Sequence, residues 1–153
     1  MLVRCMHSFA IITKDSLQRD RERALGLWKQ AAKLGSCHSN LQLGKIYYVE
    51  GDLKKATFHF EAAAMAGNEV ARFNLGAIKS ESGNMDRAFK HWIISASSGY
   101  CYAMQNLRTA FEDGLVSIDT IESTLTAYNT SCVEMRSKAR DAVIWLEFER
   151  IRG

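Results

Sequence analysis

The amino-acid sequence predicts an all-α fold, an α-α superhelix of antiparallel helix pairs that ends in a long C-terminal helix. Three observations carry that expectation: there is no proline among 153 residues, small and apolar residues recur every 32 positions, and glycines cut the chain into helix-length pieces. Proline is least tolerated inside a helix, where it removes a hydrogen bond and clashes with the carbonyl one turn back. Its absence suits a chain that is helical almost throughout. The recurrence joins Ala24, Ala56 and Ala88, then Gly35, Gly67 and Gly99, then Leu43, Leu75 and Leu107, and the bulky aromatics Trp28, Phe60 and Trp92. Residues 24–55 laid over 56–87 share eight identities. Such a period marks stacked helix pairs, none of which buries its apolar face alone.

The elements follow in order. A weak helix is expected within residues 2–13, then helices near 20–34, 36–50, 52–66, 68–82, 84–98 and 100–113. The 52–66 segment carries Leu53, Ala56, Phe60, Ala63 and Ala64 along one side, and 68–82 repeats the spacing with Ala71, Leu75 and Ile78. Gly51, Gly67, Gly83 and Gly99 can end helices in the left-handed conformation, and Asp52, Asn68 and Asn84 directly after them can cap the next one. Turns this tight make consecutive helices antiparallel neighbours. Gly44 and Gly76, with Ala56 and Ala88 in the next helix, allow close approach, while Trp28, Phe60 and Trp92 are expected to fill the larger space between successive pairs.

The last helix is expected over 118–149. Its apolar or small residues Ile118, Ile121, Leu125, Tyr128, Cys132, Met135, Ala139, Ala142 and Leu146 step by three and four, with Asn129-Thr130-Ser131 as the place for a break. Ile118, Ile121 and Leu125 should seal the end of the core, and the second half must project or pack elsewhere. The organisation expected is one helical-repeat domain over 1–153, with repeat units 24–55, 56–87 and 88–119 and a capping helix 118–149.

Composition narrows the function. Three Trp, seven Phe and five Tyr with a net charge of +3 exclude a disordered chain. Residues 1–60 hold ten Lys or Arg against five acids and the remainder ten against twelve, with no clustering on one face, so nucleic-acid binding is not expected. No apolar run reaches the roughly 18 residues of a membrane span. Cys5, Cys37, Cys101 and Cys132 form no CxxC pair and read as thiols of a reducing, cytoplasmic setting, with organelle targeting by the start MLVRCMHSFAIITK left open. His59 and His91 occupy one repeat position without metal-ligand spacing, and Cys37-His38 lacks a third orienting group. With no phosphate-binding loop or zinc-protease motif, no enzymatic activity, metal or cofactor is expected.

The recurring pattern Ala-x3-LeuGly-x6-Gly-x4-Ala-x3-aromatic-x3-Ala-x2-Gly is carried by Ala71, Leu75, Gly76, Gly83, Ala88, Trp92, Ala96 and Gly99. A preceding copy uses Ser39, Leu43, Gly44, Gly51, Ala56, Phe60, Ala64 and Gly67, and a half copy uses Ala24, Trp28, Ala32 and Gly35. A further start at Ala103 and Leu107 has Arg108 in place of glycine. Over roughly residues 20–145 the chain resembles the SEL-one-like repeat, a relative of the tetratricopeptide repeat. The strings AAAMAGNEVARFNLG and DRAFKHW are most similar to the expanded diatom and microalgal set. The resemblance implies a non-enzymatic adaptor that assembles complexes. The links EGDLKKA and SGNMDRA are shorter than the family's usual loop and closer to the tetratricopeptide turn.

In a solenoid of helix pairs the first helix of each pair lines the inner curve. Taking the LeuGly helices as first helices, the inward residues are His38, Leu41, Lys45 and Tyr48, then Val70, Phe73, Ala77 and Ser80, then Tyr102, Gln105, Thr109 and Glu112. Leu41, Tyr48, Phe73 and Tyr102 would form an apolar lining with a basic edge at Lys45 and an acidic one at Glu112. The expected partner is a protein or peptide held on this face, and the alternative is an architectural subunit of a larger assembly without a groove. Ile144, Trp145 and Phe148 in the C-terminal helix offer a surface for self-association.

Overall fold

A computed structural model describes residues 19–152, and side chains as far as Ala139. Seven helices make up these residues and no strand occurs among them: α1 (19–33), α2 (Cys37–Val49), α3 (Leu53–Met65), α4 (Glu69–Glu81), α5 (Met85–Ser97), α6 (Cys101–Glu112) and α7 (Ile118–Arg152). The helix expected within 2–13 lies outside the described residues. Two compact units divide the chain, one reaching to Ala66 and the other beginning at Gly67. In the first, α2 pairs with α3; in the second, α4 pairs with α5, and α6 and α7 pack on α5 and on each other.

The expected spans for α2 to α6 each ran one residue past the observed helix at both ends, because they counted the caps. The turn between α2 and α3 shows how the chain reverses. Gly51, at φ +80°, donates its N–H to the Tyr48 carbonyl, Asp52 donates to Tyr47, and Asp52 Oδ1 then accepts from the Lys55 N–H at 3.1 Å. The last carbonyls of one helix and the first amides of the next are thus satisfied within two residues. Gly83 and Asn84 repeat the arrangement between α4 and α5.

Both pairs are closed by the same device. A Cβ on Gly44 would stand 2.5 Å from Phe60 Cδ1, and one on Gly76 would stand 2.5 Å from Trp92 Cδ1. The glycine of the first helix is therefore the seat for an aromatic ring of the second. The rings thus fill space inside a pair as well as where they were expected: Trp92 also shares a buried cluster with Ala103 and Leu107 of α6, while Trp28 is only half-buried. Around each seat Leu43, Leu75, Ala56 and Ala88 are buried, and Leu107 repeats the leucine position in α6. Ser95 Oγ adds a polar tie at 2.8 Å to the Glu69 carbonyl, while Cys37 Sγ donates at 3.7 Å to the Ala63 carbonyl in the first unit.

α7 runs unbroken for 35 residues, through the Asn129-Thr130-Ser131 stretch. The polar side chains there do not compete with the helix: Thr130 donates to the Thr126 carbonyl, and Ser131 Oγ reaches the Ser97 carbonyl of α5 at 2.6 Å. The face turned to the core also differs from expectation. Ile118 and Leu125 are 57% and 43% exposed, whereas Thr124 is 2% exposed, its hydroxyl bonded to the Thr120 carbonyl at 2.7 Å, and Ile121 packs on the core. Met135 seats its methyl against Gly99, where a Cβ would lie 2.5 Å away.

Candidate protein-binding surface

α2, α4 and α6 position the side chains expected to face a partner. On α2, Leu41 is 7% exposed and belongs to the core, which removes it from the expected surface. His38 and Lys45 are exposed and Tyr48 is half-buried. His38 Nε2 lies 3.4 Å from Gln42 Nε2, and Lys45 borders a cleft of about 280 Å³ between α1 and α2, with Trp28 and Val49 on its walls.

In the second unit Val70, Phe73 and Ala77 are half-buried on α4, while Tyr102, Gln105 and Glu112 are exposed on α6. The Phe73 ring sits 6.4 Å from Trp92 and 5.2 Å from Tyr100, and Tyr100 sits 5.6 Å from Tyr102. Phe73 also accepts the Trp92 indole N–H on its carbonyl at 3.3 Å. A file of aromatic rings thus leads from the core to Tyr102, which is 57% exposed. Tyr100, the middle ring, was not among the expected residues. It occupies the N-cap of α6 and makes no capping bond there, unlike Ser36, Asp52, Asn68 and Asn84 at the other caps. An aromatic at a position otherwise reserved for small polar residues was the available signal. Burial raises its hydroxyl pKa.

Gln105 lies on a second feature, a cleft of about 450 Å³ between α6 and the first half of α7. Met104, Phe111, Ile121, Leu125 and Tyr128 provide its apolar walls and Arg108 its one charged lining group. The expected acidic edge at Glu112 is locally neutralised, because Arg108 Nε approaches Glu112 Oε1 at 3.2 Å in an exposed pair. The signal for this cleft was Arg108 itself, standing where the other copies have glycine.

Of the two recurring histidines, His59 is tied into the fold. His59 Nδ1 is 2.9 Å from Asn40 Oδ1 and its ring stacks on Tyr47 at 5.5 Å, while burial, with Lys29 nearby, lowers its pKa. Among the described residues no group of three His, Cys, Asp or Glu side chains could hold a metal ion, and no helix is long and apolar enough to cross a membrane. Ile144, Trp145 and Phe148 lie beyond the residues whose side chains are described. No protein-family model matches the chain, and no curated protein is significantly similar to it. The fold is therefore an all-α assembly of packed helix pairs, in keeping with a helical-repeat protein and with an interaction module.

Proposed function

We propose that the chain is a non-enzymatic scaffold of the SEL-one-like, tetratricopeptide-related kind that binds a protein or peptide through its LeuGly helices. The observation that carries this reading is the ring file Phe73, Tyr100 and Tyr102, anchored on Trp92 and open to solvent at Tyr102. Rigid, partly exposed aromatics supply large contact area at low entropic cost, and such residues dominate binding energy at interfaces. Lys45, His38, Gln105 and Glu112 are exposed polar groups suited to a rim, where charge sets rate and salt dependence more than affinity.

Affinity capture with the full chain as bait tests the reading. Partners captured by the wild type should bind the Tyr102→Ala variant at least tenfold more weakly, with an unchanged thermal melt, because Tyr102 is mostly exposed. Unchanged binding by Tyr102→Ala would overturn the assignment of this face. The architectural alternative is favoured by a different observation, the exposure of Leu34, Val49, Phe58 and Met65 in the first unit, at 89%, 83%, 67% and 87%. In that case the chain would co-migrate in a large complex and lose solubility when isolated.

A further inference from the structure

The third helix pair lacks the closure that the other two share. Gly44 and Phe60 each lie eight residues after their caps, Ser36 and Asp52, and so do Gly76 and Trp92 after Asn68 and Asn84. One 32-residue period beyond Gly76 and Trp92 stand Arg108 and Thr124. Arg108 turns outward with its side chain 77% exposed, Thr124 is buried but far smaller than a ring, and beside them α6 and α7 leave an open cleft onto which Leu125, 43% exposed, faces.

We propose that this cleft receives an amphipathic helix of a partner protein, which seats a bulky aromatic side chain between Met104 and Leu125 and sets a carboxylate on Arg108. The inference rests on the interaction-module reading and names its partner chemistry. The aromatic follows from the ring that the other two pairs carry where this one has the much smaller Thr124, and the wall supplied by Phe111, Ile121 and Tyr128 is apolar. The carboxylate follows from charge complementarity: Arg108 is the one charged group lining the cleft, and its pair with Glu112 is exposed, so an incoming acid can replace it. A helix in a groove presents such residues three or four positions apart.

The test is a randomised display library of 16-residue peptides panned against the full chain. Enriched peptides should carry Trp or Phe with Asp or Glu three or four positions away. They should bind Leu125→Arg and Arg108→Glu at least tenfold more weakly, while circular dichroism melts of both variants match the wild type. Enrichment of basic peptides, absence of enrichment, or equal binding to Leu125→Arg overturns the proposal. Peptides that lose affinity for Tyr102→Ala but not for Leu125→Arg overturn the cleft and leave the interaction-module reading standing.

Discussion

Gly76 and Trp92 define one another: the indole ring rests where the Cβ of any other residue at position 76 would be, and its N–H is held by the Phe73 carbonyl one turn away on the same helix. The ring cannot withdraw without breaking that bond, and the glycine cannot grow without displacing the ring.

Gly76→Leu should therefore destabilise the chain by about 1–3 kcal/mol through overpacking. At roughly 2–4 °C per kcal/mol for a chain of this size, calorimetry would show a clear drop in Tm. Gly26, inside α1 with nothing within 4 Å of its absent Cβ, is the control, and Gly26→Ala should raise stability by about 0.5–1 kcal/mol.

Leucine truncations should separate the core side of α6, held by Leu107, from the cleft between α6 and α7, where Leu125 stands. Leu107 is 1% exposed, and Leu107→Ala is expected to cost about 2–5 kcal/mol. Leu125→Ala should cost far less, since Leu125 already meets solvent. Paired denaturant titrations read the difference, and equal losses would place Leu125 in the core.

Stability should depend on pH through His59. Its folded pKa lies below the ordinary value of 6.5, chiefly because burial disfavours the charged ring. The unfolded chain then takes up the proton first as pH falls, so stability is full above about pH 7.5 and declines as pH drops through the unfolded value, levelling off below the folded one. His59→Gln should flatten that part of the profile in urea titrations from pH 8 to 5.

Ser131→Ala removes the hydroxyl that ties α7 to the Ser97 carbonyl. A loss of about 0.5–1.5 kcal/mol is expected. Hydrogen exchange in the middle of α7 should speed up in this variant and stay unchanged in Thr130→Ala, whose hydroxyl bonds only within its own helix.

The helices and their turns were legible because each is written locally. A glycine followed by Asp or Asn specifies its own turn, and a 3.6-residue apolar spacing specifies its own helix. What failed depended on the neighbour. The stripe Ile118, Ile121, Leu125 describes a helix correctly but does not say which side meets α5. The 32-residue register carries Phe60 and Trp92 on to Thr124, which is buried, and leaves Leu125 one residue further round the helix and exposed. Leu41 was misplaced for a related reason, since an inward pattern cannot distinguish a lining leucine from a buried one. Tyr100 and the α6–α7 cleft were missed because both arise from departures, an aromatic at a cap and an arginine at a glycine position.

The hydrogen bonds that tie one helix to another close loops of 19 residues at His59–Asn40 and Trp92–Phe73, 26 at Cys37–Ala63 and Ser95–Glu69, and 34 at Ser131–Ser97. Short loops cost little chain entropy to close, and topologies made of them fold quickly. Each helix pair can accordingly assemble as soon as its second helix has left the ribosome. Only α7 must wait, because its anchor at Ser131 comes 30 residues after α6 begins, so the last bond to form is the one that fastens the longest helix to a body already folded.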